Sequence, residues 1–299
     1  MQSLSLELAQ GPAQGPVHVA DFGGQGRLIV LVHGIGGNHT NWWTVGPQLT
    51  ALGRVVAVDL VGCGYTEPHR RQCRLTTNVQ LVKEVVHQLG EPAVLVGHSM
   101  GGLLALLLAA REPALIEMLV LIDPSQRGES PRPNPQFLAQ LLLPSVPVVG
   151  PAMLRRTVGP KTGAERIHDA WAVSMVDQSR VSAPARRAAI DMAEYWYGTS
   201  WHRVSVLTAI ASTGRALVDP RRYEQAVDAA RCPTMVIHGT QDHMISFRRI
   251  EKLARRRPDW QVNFIDDVGH NPHLEAGDHV VALIEGFLSG ASSAGPNQR

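Results

Sequence analysis

Residues 93–110 read AVLVGHSMGGLLALLLAA, and the change of rhythm inside this stretch decides the fold. Ala93 to Val96 is a short apolar run of the kind that forms a strand buried on both faces. Leu103 to Ala110 is apolar almost all round, as a helix packed deep against a sheet would be. The chain must therefore pass from strand to helix within Gly97–Gly101. A residue at the centre of so abrupt a turn is forced into a strained backbone conformation with its side chain pointing outward. Glycines at 97 and 101 leave room where neighbouring backbone crowds in. The central residue is Ser99. Its hydroxyl would stand at the carboxyl end of a strand and the amino end of a helix, where orphan N–H groups favour developing negative charge. An ordinary glycine-rich turn with an N-cap serine shares the G-x-S-x-G pattern; the strand before and the apolar helix after favour a nucleophile.

Outward from this turn the same alternation repeats. Leu28–Val32, Val55–Val58, Met118–Ile122, Met235–Ile237 and Val262–Ile265 are further short runs rich in Val, Ile and Leu, suited to parallel strands buried on both faces. Gln80–Leu89 repeats apolar residues with helical period at Leu81, Val82, Val85, Val86 and Leu89. Strands alternating with helices predict an α/β fold with a mostly parallel central sheet and right-handed crossovers. Leu4–Leu8 and Val17–Phe22 alternate more like an antiparallel hairpin at the sheet edge. From Pro124 to about Leu217 the pattern yields no strand: a proline-rich opener at 131–135 leads to helical segments around 137–143, 164–178, 184–197 and 204–211. An insertion of that size between two sheet strands predicts a helical cap over one end of the sheet. The expected organisation is a core formed by 1–123 and 218–290, a cap over 124–217, and a frayed tail over 291–299.

Composition narrows the function classes. The 299 residues carry 28 basic and 26 acidic side chains, a formal charge of +2, so no global field exists to hold nucleic acid. Arg70-Arg71 and Arg255–Arg257 read as solvated helix ends and loops. Cys63, Cys73 and Cys232 include no CxxC pair and leave at least one thiol unpaired, which suits a reducing cytoplasm. The first residues lack the basic and apolar regions of a signal peptide, and no apolar run is long enough to span a bilayer, so no stable membrane insertion is expected. Oligomeric state is not readable from the chain.

A serine hydroxyl is a poor nucleophile without a base and an orienting acid. Thirteen histidines make any single one weak evidence. Two stretches stand out because they follow late strands: MVIHGTQDH (235–243) carries Asp242, and NFIDDVGHNPHLE (263–275) carries His270. Asp123, closing LVLID, also follows a strand and is a competing acid. His273 and His243 are competing imidazoles, assigned here to structural or rim positions. A metal site from His238, Asp242, His243 and His270 matches none of the usual zinc spacings, so no metal is expected.

With these residues in place, the chain resembles the α/β-hydrolase superfamily, in its capped esterase, lipase and carbon–carbon bond hydrolase branch. The motifs are VLVHGIGGNHTNWW (30–43) as the HGxxG oxyanion segment, AVDLVGCGYTEP (57–68) as the DxxGxGxS loop, LVGHSMGG (95–102) as the nucleophile elbow, HGTQD (238–242) as the acid loop and GHNPHLE (269–275) as the histidine loop. The order Ser99, Asp242, His270 is that of this family. Val61 stands where proline is usual and Thr66 where serine is usual. Gly269, before His270, matches the family's histidine loop. The resemblance implies that Ser99 attacks a carbonyl carbon, His270 shuttles the proton and Asp242 orients the imidazole. Backbone N–H groups of Ile35 and Met100 would form the oxyanion hole, with His33 and Gly34 shaping that loop. Trp42, His98, Tyr195 and Trp196 join His33 and Gly34 as candidate substrate-pocket residues, although Trp42 has helix packing as its alternative, His98 packing beneath the elbow, and the stretch 192–201 packing of the cap on itself. Leu141–Leu143, Val146, Val148 and Val149 would guard the entrance, and Arg155, Arg156 and Arg166 are available for a carboxylate. No cofactor is implied. The expected partner is a small lipophilic ester; the alternatives are a vinylogous diketone cleaved at a carbon–carbon bond and a non-catalytic receptor that keeps the triad. An aspartate nucleophile is excluded by Ser99.

Overall fold

The computed structural model describes residues 1–126 and 161–293. Its centre is a single sheet in the order β1-β2-β4-β3-β5-β6-β7-β8. The strands are β1 Gln2–Leu8, β2 Gly15–Gly23, β3 Leu28–Val32, β4 Arg54–Val58, β5 Ala93–His98, β6 Ile116–Ile122, β7 Thr234–Gly239 and β8 Gln261–Ile265. β3 to β8 run parallel, and β1 and β2 form the expected antiparallel hairpin, with β2 antiparallel to β4.

The apolar runs form strands because alternate side chains find cover on opposite faces. Val94 and Val96 pack with Ile29, Leu31, Met118 and Val120 on one face, under Val280, Ile284 and Leu288 of the helix Gly277–Ser293. Leu95 points the other way, with Val30, Val32, Leu119 and Leu121, against helices α1 Leu75–Leu89 and α2 Met100–Arg111. Each such side chain contributes about 1.5–3 kcal/mol on burial, the main favourable term in the core. β8 departs from the expectation of strands covered on both faces. It is the edge strand, and its side chains before Ile265 are only half-buried or exposed, with Phe264 the most open apolar one. α1 begins at Leu75, one and a half turns before the apolar period that announced it, because Leu75, Asn78 and Val79 are also buried there.

Chain order reverses around β3: β4 lies on one side of it and β5 on the other. Such a switch point leaves a crevice beyond the carboxyl ends of the two strands. Since Val32 pairs with Gly97, the loop after β3 and the elbow after β5 emerge side by side.

Between β6 and β7 the described residues contain no strand. They form α3 Gly163–Ala172, α4 Ala183–Tyr197, α5 His202–Val218 and α6 Pro220–Ala229. The helix expected over 164–178 stops at Ala172, and that expected over 204–211 extends to Val218, past the boundary read at 217. The expected helix around 137–143, the apolar cluster at 141–149, Arg155 and Arg156 lie outside the described residues. No helix among the described residues is long and apolar enough to cross a membrane.

Candidate active site

Ser99 closes β5 and caps α2 at φ 52°, ψ −117°, a region that side-chain-bearing residues rarely occupy. The strain is enforced by close packing on both sides. A Cβ on Gly97 would lie 2.4 Å from the Gly101 carbonyl oxygen, and one on Gly101 only 2.1 Å from the Val32 oxygen. No side chain fits there, so the turn is held tight and the serine hydroxyl is pushed outward.

His270 lies on the loop after β8, and Asp242 on the loop after β7. His270 Nε2 is 3.0 Å from Ser99 Oγ, and His270 Nδ1 donates to Asp242 Oδ2 at 2.7 Å. Asp242 is itself fixed, its Oδ1 accepting from the Met244 and Ile245 N–H groups at 2.6 and 3.0 Å. Burial pushes the Asp242 pKa upward, but the charge and hydrogen bond of His270 outweigh it and hold the carboxyl below its ordinary value. Burial likewise pushes His270 down, yet Asp242, with help from Asp123, leaves its pKa raised. A carboxylate facing an imidazole in this way stabilises the imidazolium that appears when the base takes a proton.

Asp123 is the second carboxylate of this region. Its ligand atoms and those of Asp242 and His270 lie within 4.8 Å of one another. Asp123 is wholly buried at φ 42°, its Oδ1 accepts from the Gly239 N–H at 3.1 Å, and the His238 imidazole lies against it. Burial pushes its pKa up to about 6, with His238 opposing and the Asp242 charge assisting. His270 Nδ1 makes its hydrogen bond to Asp242, so Asp123 braces the start of the acid loop instead. His18, His39 and Asp59 form a second close group, in which both imidazole Nδ1 atoms are spent on Asp59 Oδ2 at 2.8 and 2.9 Å.

The loop after β3 lies against the nucleophile: a Cβ on Gly34 would stand 3.0 Å from Ser99 Cβ and 3.1 Å from His98 Nδ1. Ile35 follows, exposed, and Met100 is the first residue of α2. His33 is wholly buried; its Nδ1 donates to the Gly34 carbonyl at 2.8 Å and its Nε2 accepts from Leu60 N–H at 3.1 Å. It pins the loop and presents no surface to a substrate.

Three more of the candidate pocket residues are also withdrawn from solvent. Trp42 is fully buried in the core, its ring 4.8 Å from that of His273. Trp196 of α4 is buried, and its Nε1 donates to the Gly62 carbonyl at 2.9 Å, joining the inserted helices to the loop after β4. His98 packs beneath the elbow, its Nε2 donating to the His270 carbonyl at 2.7 Å. Burial keeps His98 neutral and pushes the His273 pKa down to about 3. Only Tyr195 is open, its ring tilted against that of Tyr65 with the centroids 4.9 Å apart. His243 makes no contact with the Ser99–His270–Asp242 relay among the hydrogen bonds described.

Both departures from the family pattern have physical reasons. The Val61 N–H donates to Asn78 Oδ1 at 3.0 Å, a bond that proline could not make. Thr66 keeps a hydroxyl, and its Oγ1 accepts from the His18 N–H at 2.9 Å.

Two contributors were not legible beforehand. Ser125 follows β6 and places its Oγ 3.5 Å from that of Ser99. Glu275 is buried one turn beyond His270; it accepts from Gly269 N–H at 3.0 Å and from Val176 and Asp177 N–H at 3.0 and 3.1 Å. The His270 N–H also donates to the Ser174 carbonyl at 2.6 Å. The inserted segment is thus fastened directly to the histidine loop. A carboxylate at the end of HNPHLE is visible in the sequence, but its partners lie about a hundred residues away.

Residues 27–277 match the alpha/beta hydrolase fold family, and the chain belongs to it. Pimeloyl-[acyl-carrier protein] methyl ester esterase of Aromatoleum aromaticum is 30% identical over 271 residues, 88% of this chain and 98% of that one. 2-hydroxymuconate semialdehyde hydrolase of a Pseudomonas species is 29% identical over 284 residues, 91% of this chain and 90% of that one. Among solved structures, a thermophilic esterase of Thermogutta terrifontis superposes with TM-score 0.71 at 23% identity, covering 97% of this chain and 99% of its own, a likeness of fold. The protein is a hydrolase, with esterase, lipase and carbon–carbon hydrolase relatives.

Proposed function

We propose that the protein cleaves carboxylic esters of small lipophilic molecules through an acyl-enzyme on Ser99. The observation that carries this reading is the continuous relay from Ser99 Oγ to His270 Nε2 at 3.0 Å and from His270 Nδ1 to Asp242 at 2.7 Å. In this mechanism Ser99 Oγ attacks the ester carbonyl carbon while His270 Nε2 takes the hydroxyl proton. The resulting oxyanion is met by the backbone N–H groups of Met100 and Ile35, each worth about 10²–10³ in rate. The tetrahedral intermediate collapses, the carbon–oxygen bond to the alcohol breaks, and His270 returns the proton to that oxygen. Water, deprotonated by His270, then attacks the acyl carbon; Ser99 leaves and recovers its proton. Asp242 keeps Nδ1 protonated and Nε2 free throughout.

Cleavage of a carbon–carbon bond in a vinylogous diketone is the second reading, favoured by the 29% identical hydrolase of that chemical type. A p-nitrophenyl ester series of increasing chain length separates the two. Rapid p-nitrophenol release that disappears in Ser99→Ala supports the ester reading, and the length profile measures the acyl pocket. Absence of release, with turnover of a ring-cleavage diketone instead, would transfer the same machinery to the second reading.

A further inference from the structure

A cleft of about 660 Å³ opens away from the elbow, between the start of α1, the outer face of α2, and helices α5 and α6. Its size is that of a small-molecule site. Leu103, Leu107 and Ala110 of α2 supply an apolar wall, and Tyr223 of α6 lines the cleft from the facing helix. At about 1.5 Å per residue, this wall runs from roughly 6 to 17 Å along α2 from Ser99, and none of Ser99, Asp242 and His270 lines the cleft. The cleft is therefore separate from the relay.

The charge around it is one-sided. Arg74, Arg111 and Arg215 line it, and among the described residues no acidic one does. Nearby carboxylates are engaged elsewhere: Glu112 with Lys83, and Asp228 and Glu224 with Arg256. All three arginines are exposed, and none has a side-chain hydrogen bond or ion pair among the described residues. Arg111 and Arg215 sit in the last turns of their helices, where the dipole welcomes a cation. Arg74 does not share that explanation. It occupies the N-cap of α1, the positive end, with no capping hydrogen bond from its side chain. Arg74 and Arg215 stand at the end of the cleft where the Leu75 N–H donates to Ser212 Oγ, and two like charges there, one against its own helix dipole, call for an anion; the adjoining wall of leucine and alanine calls for an alkyl chain.

We propose that this cleft binds an alkyl-chain carboxylate, the chain lying on Leu103 and Leu107 and the head group held by Arg74 and Arg215. Guanidinium and carboxylate are matched in shape and charge, which favours this head group over an alcohol or an amine. Because Ser212, Arg215 and Ala216 come from α5, an occupant also joins the inserted helices to α2. The proposal rests on the cleft alone and is independent of the ester reading.

Dodecanoate binding, followed by isothermal calorimetry on the full chain, tests it. The expected result is saturable binding that weakens in high salt, is reduced at least about tenfold in Arg74→Glu/Arg215→Glu, and is lost in Ala110→Trp, which fills the cleft. Dodecanol should bind at least about tenfold more weakly than dodecanoate. Near-ultraviolet circular dichroism verifies folding of each variant, and Arg74→Gln, at an exposed position, provides a variant expected to fold in any case and to weaken binding severalfold. Equal binding by wild type and Arg74→Gln, equal affinity for dodecanol, or no binding to wild type would each overturn the proposal.

Discussion

The elbow and the inserted helices are held in place by different means. Around Ser99 the backbone itself is the constraint. At Gly97 and Gly101 the neighbouring backbone comes so close that an added Cβ would lie 2.4 and 2.1 Å from a carbonyl oxygen, and the strands on either side are buried on both faces. The inserted helices join that core through side chains: Met192, Trp196 and Ala209 share its apolar cluster, and individual bonds add to them, Trp196 to Gly62, Ser212 to the Leu75 N–H, Glu275 to Val176 and Asp177. A region fixed by close-packed backbone has no alternative arrangement of similar energy, whereas one fixed by side-chain packing and single polar bonds tolerates change at a smaller cost. Ser99 is placed on the first.

The largest test of that contrast lies in the relay. Ser99→Ala and His270→Ala should each lower kcat by about 10⁶, with unchanged thermal stability within a few degrees, in a spectrophotometric ester assay. Asp242→Asn should cost about 10⁴ through the wrong imidazole tautomer, and Asp123→Asn less than about tenfold. The reverse ranking would make Asp123 the orienting acid.

Gly101→Ala should damage folding before chemistry. Its Cβ would collide with the Val32 carbonyl, and a destabilisation above about 3 kcal/mol is expected by urea denaturation. Trp196→Phe should cost only about 1–3 kcal/mol, the loss of one buried hydrogen bond, and should alter KM more than kcat. Equal effects of the two substitutions would erase the distinction between core and inserted helices.

The smallest effect concerns pH. His270 must be neutral to accept the Ser99 proton, so kcat/KM should rise with pH through a value above the ordinary histidine pKa. Asp123 contributes to that elevation once ionised, above pH about 6, so Asp123→Asn should move the inflection to lower pH. A shift upward would contradict the arrangement.

The same contrast explains what the sequence disclosed. Seven of the strands matched their apolar runs in the sense expected, and Ser99, Asp242 and His270 could be picked out as candidates because each sits in a loop directly after such a run. β8 was misread as covered because an apolar run does not reveal whether a neighbour lies beyond it. Trp42 and Trp43 are adjacent, and sequence could not say which ring would be swallowed by the core; the turn His39–Trp42 sends Trp42 inward beside His273 and leaves Trp43 half-buried. Glu275 and Ser125 escaped because their roles depend on partners brought together only by the crossovers.

Covalent trapping is the most direct test of the central claim that the relay activates Ser99. The protein is incubated with diethyl p-nitrophenyl phosphate, and intact-mass spectrometry with peptide mapping locates the product. One diethylphosphoryl group on Ser99 of the wild type, and none on His270→Ala over the same time, is the predicted result. An unmodified wild type, or modification at another residue, would contradict it.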